Sequence, residues 1–213
     1  MAIEIEQFET VSRHGTAIQE LHRQEPRGGR GLAVLFPGQA YSCQRPLLHF
    51  SRLAALEAGY DVLCLEYGFQ NSRSAGPEGD FATLVSEAKQ AIAWALLEVG
   101  PVNSIALIAK SIGTFVASGV LRAGGLPPTR TLLLTPVERA AALVADYSAK
   151  AVIGTADPFY ARLGIEASVS TNPNAWHVIA DLDHSLERPG DVGGSLTGLA
   201  ATIDIVRAFL AEA

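Results

Sequence analysis

Apolar residues fall in two rhythms along this chain. Short, nearly unbroken runs occur at Leu32 to Phe36, Tyr60 to Glu66, Ile105 to Ala109, Thr131 to Leu134, Lys150 to Ile153 and Trp176 to Ala180. Such runs suit strands buried on both faces of a parallel sheet. Between them the apolar positions recur at helical spacing. Leu47 to Ala58 predicts a helix closed by Gly59. Phe81, Leu84, Val85, Ala88, Ile92, Ala95, Leu96 and Val99 predict a long one that stops at Gly100-Pro101. Ile112, Phe115, Val116, Gly119 and Val120 predict a third, and Val137 to Tyr147 a fourth. A short helix is expected around Tyr160 to Leu163. The closing helix carries Leu196, Leu199, Ala200, Ile203, Val206, Phe209 and Leu210 on one face. Strands alternating with helices across short links predict an α/β fold, a doubly wound, mostly parallel sheet with helices on both faces.

The first thirty residues follow a different pattern. Ile3, Ile5 and Phe8 alternate with Glu4 and Glu6, a half-buried strand signature, and Thr16 to Leu21 reads as its partner across a turn at His14-Gly15. Arg27 to Gly31 is a glycine-rich connector without phosphate-loop spacing. Residues 1–213 therefore read as a single domain with an N-terminal β-hairpin and connector at 1–30. The stretch between Leu134 and Ala151 holds one helix and no separate cap domain. With the polar loop Gly68–Asp80 as the main other cover, the expectation is an open, shallow site.

Composition narrows the class. Of 213 residues, 48% are hydrophobic and 18% charged, which favours a large buried core over disorder. The net charge of −6 and the scattered arginines offer no basic stripe for nucleic acid. Neither Cys-x-x-Cys nor His-Glu-x-x-His spacing occurs, so no metal site is expected. One disulfide between Cys43 and Cys64 is arithmetically possible, but Cys64 sits within Val62 to Leu65 as a small core residue would. The acidic, alternating N-terminus is unlike a signal peptide, and no apolar run approaches the ~18 residues of a membrane span. The expectation is a soluble, cytoplasmic protein with no membrane partner and an undetermined oligomeric state.

The candidate chemistry begins where the Ile105–Ala109 run breaks into Lys110, Ser111, Ile112 and Gly113. A serine at a sharp strand-to-helix turn has its hydroxyl exposed and the next backbone N–H aimed into the site. Small residues are needed two before and two after it, and Ala109 and Gly113 meet that need. A serine that merely caps the helix is the plainer reading of the same residues. Ligands of open parallel sheets bind at the carboxyl ends of the strands. The loops there bring Pro37-Gly38-Gln39, Ser111, Asp157 and Asp181-Leu182-Asp183-His184 to one edge. His184 would take the proton of Ser111, Asp157 would orient the imidazole, and the N–H groups of Gln39 and Ile112 would receive an oxyanion. His177 and Glu138 are the competing base and acid, and Cys43 is a competing nucleophile with no elbow around it. Lys110 is either solvated or a contact for an anionic substrate.

Four stretches carry a resemblance: Phe36-Pro37-Gly38-Gln39, Ala109-Lys110-Ser111-Ile112-Gly113, Gly154-Thr155-Ala156-Asp157 and Asp183-His184-Ser185-Leu186-Glu187. From about Leu32 onward the chain resembles the α/β-hydrolase superfamily, and within it the small, lidless dienelactone-hydrolase-like members. They stand at that family's places for oxyanion loop, nucleophile, acid and base; Pro37 departs from a common histidine, and Ala109 from a glycine. The resemblance implies a cofactor-free serine hydrolase acting on an ester or thioester of a small-molecule acyl substrate. An acyltransferase or perhydrolase with the same triad, or a non-catalytic binding module on the same fold, are the alternatives.

Overall fold

The computed structural model describes residues 2–25, 29–71, 80–140, 142–162 and 164–212. In chain order the elements are β1 (Ala2–Ser12), β2 (Gly15–Glu25), β3 (Gly31–Phe36), α1 (Pro46–Glu57), β4 (Tyr60–Cys64), α2 (Gly68–Asn71) and α3 (Phe81–Val99). There follow β5 (Ile105–Lys110), α4 (Ile112–Ala123), β6 (Thr129–Leu134), a 3-10 turn (Glu138–Ala140), α5 (Leu143–Asp146) and β7 (Lys150–Gly154). The last are α6 (Pro158–Arg162), α7 (Ile165–Thr171), β8 (Trp176–Ile179) and α8 (Val192–Ala211).

All eight strands join one sheet in the order β1-β2-β4-β3-β5-β6-β7-β8. From β4 to β8 every pairing is parallel, and β1 and β2 extend the sheet as an antiparallel hairpin. The doubly wound, mostly parallel sheet expected from the apolar runs is present. β3 and β5 are buried at every residue. Leu32, Val34, Phe36, Ile105, Leu107 and Ala109 pack with α3 and α4 on one face. Ala33, Leu35, Ala106 and Ile108 pack with α1 and α8 on the other. A strand covered on both sides has no polar face, so its sequence reads as a continuous apolar run.

The chain leaves β3 toward β4 and later returns across it to β5. The loops after β3 and β5 therefore part in opposite directions, leaving a crevice at their carboxyl ends. Packing between α4 and the end of β3 is tight. A Cβ on Gly113 would stand 2.6 Å from the carbonyl oxygens of both Phe36 and Pro37.

Several expectations are corrected. Ile3 and Ile5 lie on the exposed face of β1 (40% and 55%), while Phe8 turns to the other face and stacks on Trp94 at 5.0 Å between ring centres. The alternation joined residues of opposite parity. The Val137–Tyr147 segment is not one helix. Thr114 Oγ1 takes the Val137 N–H, Ala140 N–H closes a 3-10 turn on the Val137 carbonyl, and only α5 continues helically. Helix α7 went unforeseen; it follows Gly164 at φ 56°, a left-handed residue that separates it from α6. In the Gly68–Asp80 loop, 68–71 form α2, and residues 72–79 lie outside the described ones. Helix α8 buries Gly198, Thr202, Val206, Phe209 and Leu210, and leaves Leu196 exposed. It is also long and apolar enough to cross a membrane by length and composition, which a search for unbroken apolar runs overlooks. Here its buried stripe packs on α1 and the sheet.

Candidate active site

Ser111 sits where β5 stops and α4 begins, with φ 53° and ψ −122°. This strained backbone is held by bonds on several sides. Ser111 N–H donates to the Leu134 carbonyl at 3.0 Å, and Thr114 Oγ1 donates to the Ser111 carbonyl at 2.6 Å. Ala109, buried in β5, and Gly113, jammed against the end of β3, supply the small neighbours that so sharp a corner requires.

His184 lies in the loop after β8 and Asp157 in the loop after β7. Ser111 Oγ and His184 Nε2 are 2.8 Å apart, and His184 Nδ1 and Asp157 Oδ2 are also 2.8 Å apart. The Asp157 carboxylate is fully buried, while the imidazole is 30% exposed. Its other oxygen, Oδ1, accepts the Phe159 N–H at 2.9 Å, and the Phe159 ring lies 5.3 Å from the imidazole. The Phe159 N–H on Oδ1 leaves Oδ2 to His184, which fixes the carboxylate's rotation.

Ile112 opens α4, so its N–H has no acceptor within the helix and stands at the helix's positive end. Gln39 lies within a tight turn closed by mutual bonds between Gly38 and Tyr41. That turn abuts the serine: a Cβ on Gly38 would be 3.4 Å from Ser111 Cβ. Gln39 and Ile112 line one pocket of about 640 Å3 with Ser111 and His184, within the size range of small-molecule sites. Phe81, Phe115, Phe159, Val137 and Tyr41 make most of its wall apolar.

The competing residues go elsewhere. Glu138 lines the pocket, but the imidazole's Nδ1 faces Asp157. His177 is half-buried in β8, where burial lowers its pKa. Asp183 caps its own turn, accepting the N–H groups of Ser185 and Glu187 at 2.7 and 3.1 Å. Asp181 pairs with Arg188. Cys43 is buried beside Cys64.

Lys110 overturns the solvated reading. It is 2% exposed, and its ammonium donates to the His184 carbonyl at 3.0 Å and to Thr135 Oγ1 at 3.4 Å. It also stands 4.6 Å from the centre of the Tyr41 ring. Burial pulls its pKa down to about 8, although Asp157, Asp183 and Glu187 draw it upward. Lys110 therefore ties the His184 loop to the strand end at Ser111. A lone lysine between a strand and a serine carries no sequence signal for that tie. Neither do Tyr41 and Phe159, since their partners are distant in sequence or are main-chain groups.

No protein-family model matches the chain, and no curated protein matches its sequence. Solved structures do match its shape. A dienelactone hydrolase from Anabaena variabilis superposes with a TM-score of 0.71 at 15% identity, over 98% of this chain and 97% of its own. An alpha-beta serine hydrolase homologue from Coxiella burnetii gives 0.67 at 14%, over 95% and 96%. A hyperthermophilic esterase from Pyrobaculum calidifontis gives 0.65 at 14%, over 97% and 85%. At such identities the likeness is one of backbone architecture, and the architecture is the α/β-hydrolase fold.

Proposed function

We propose that the chain is a serine hydrolase that cleaves an ester or thioester of a small, soluble acyl substrate through an acyl-enzyme. One observation carries this reading: an unbroken relay from the buried Asp157 through His184 to Ser111, at a strained corner where α4 begins. Ser111 Oγ attacks the carbonyl carbon as His184 Nε2 takes its proton. The N–H groups of Gln39 and Ile112 receive the negative charge that develops on the carbonyl oxygen. Collapse expels the alcohol or thiol with the proton from His184, and water repeats the sequence to release the acid. Asp157 stays ionised and stabilises the imidazolium. The apolar pocket wall suits an acyl group. Hydrolases and esterases among the solved structures of this shape lend support from fold alone.

Intact-mass spectrometry after exposure to a fluorophosphonate tests the reading. One adduct on the wild-type chain, absent from Ser111→Ala at an unchanged melting temperature, is expected. A folded wild-type chain with no adduct, and no turnover on short-chain esters and thioesters, would point to a binding module instead.

A further inference from the structure

The pocket that holds Ser111 has a neighbour. A second cavity of about 440 Å3 shares two of its wall residues, Tyr41 and Ser185. The rest of its lining is mostly apolar, with Leu47 from the start of α1, Leu186 from the loop after β8, and Leu196 and Leu199 from α8. Val192 and Leu196, one helical turn apart at its border, are 77% and 62% exposed. Two large apolar side chains open to solvent beside a cavity mark a place for an apolar ligand.

Fixed groups form this cavity. Tyr41 is held at both ends: its hydroxyl accepts the Leu47 N–H at 3.0 Å, and its ring centre lies 4.6 Å from the Lys110 ammonium. The loop from Arg188 to Ser195 is closed by the Arg188 N–H on Ser195 Oγ at 2.9 Å and by the Gly194 N–H on Asp191 Oδ1 at 2.8 Å. A cavity walled before binding costs its ligand little ordering. Its charges are biased as well. Arg188 borders it but is already paired with Asp181 at 3.3 Å and Asp191 at 3.5 Å, and Glu187 adds a further carboxylate. Such a rim repels an anionic group.

The chemistry at Ser111 says which part of an ester goes there. The departing oxygen or sulfur must take its proton from His184 Nε2, so the leaving group lies on the His184 side of the serine. Ser185 follows His184 in the chain and lines the second cavity. The aromatic wall of Phe81, Phe115 and Phe159 is left to the acyl group.

Resting on the serine-hydrolase reading, we propose that the second cavity is the leaving-group subsite, and that it selects a neutral, apolar alcohol or thiol. When the bond from the carbonyl carbon to that arm breaks, the arm takes the His184 proton and departs uncharged.

The test keeps the acyl group as acetyl, lengthens the alcohol from ethyl to hexyl, and reads kcat/KM for each ester. In the wild type it should rise about two- to fourfold per methylene, the scale of burying each CH2. An alcohol of the same length ending in a carboxylate should fall about tenfold or more below hexyl. Leu199→Trp fills the cavity and should bring the hexyl-to-ethyl ratio down to about one. Leu196→Asp, on an exposed side chain with little packing to lose, should lower the same ratio several-fold and serves if the tryptophan variant fails to fold. A flat alcohol series on a chain that turns over ethyl acetate would overturn the subsite alone. A gain that follows the acyl chain instead, and that Leu199→Trp abolishes, would overturn the assignment of the arms. Turnover of no ester or thioester at all would overturn the hydrolase reading, and the subsite with it.

Discussion

The candidate site has two halves built on different principles. The Ser111 half is made of main chain: β5 is buried throughout, α4 starts at once, and Gly113 fits against the Phe36 and Pro37 carbonyls with no space for a side chain. The His184 half is made of tethers. Its loop is held by the Lys110 ammonium on the His184 carbonyl, by Asp183 capping its own turn, and by Leu182 packed in the core. A serine that the fold itself presents is insensitive to most single side chains. An imidazole that side chains position can be detuned one contact at a time.

Asp157→Asn should break this contrast most severely. It keeps the shape of the buried acid but offers an amide to the imidazole, which favours the wrong tautomer. Turnover is expected to fall about 10⁴-fold, with the melting temperature nearly unchanged. Steady-state kinetics on a short-chain ester or thioester that the wild type turns over measures this. A loss below tenfold would remove Asp157 from the relay.

The two halves can next be compared through a glycine in each. A Cβ at Gly154 would stand 1.9 Å from the Leu182 carbonyl oxygen, whereas one at Gly113 meets its nearest carbonyls at 2.6 Å. Both obstacles are backbone, so neither can rotate away. Gly154→Ala should cost more, about 3 kcal/mol or above, against roughly 2 for Gly113→Ala. Thermal unfolding of the two variants reads the order directly, and the reverse order would mean that the His184 loop yields more easily than its contacts imply.

The same contrast explains what the sequence could reveal. Buried strands carry their signature in their own residues, so β3 to β8 and the corner at Ser111 were legible. Asp157 and His184 were legible as residues at strand ends, because the sheet's direction alone puts those loops on one edge. The tie made by Lys110 was not, since its partners Thr135, His184 and Tyr41 are set by tertiary packing. Ile3 and Ile5 misled because hydrophobicity indicates a buried face, and at this edge of the sheet the outer face is left open. The Val137–Tyr147 segment misled for another reason. Its helical spacing is real, but the chain first closes a 3-10 turn, with the Ala140 N–H on the Val137 carbonyl, before α5 begins.

Lys110→Met gives the smallest effect on turnover and separates function from stability. Removing the tether should lower turnover about tenfold, the scale of one charge-assisted hydrogen bond. Stability should move the other way. The Lys110 pKa of about 8 in the folded chain lies below the ~10.4 of a free lysine, so between those values the unfolded chain holds the extra proton. Stability contributed by this group therefore rises as pH climbs from about 8 to about 10.4, and below 8 the buried charge costs on the order of 3 kcal/mol. The methionine variant has no such charge. It should melt higher than the wild type at pH 7, and the gap should close as pH rises through 9 and 10. A gap constant with pH would mean that Lys110 is not buried as a charge. Unchanged turnover beside the higher melting temperature would mean that the His184 loop holds its place without the tether.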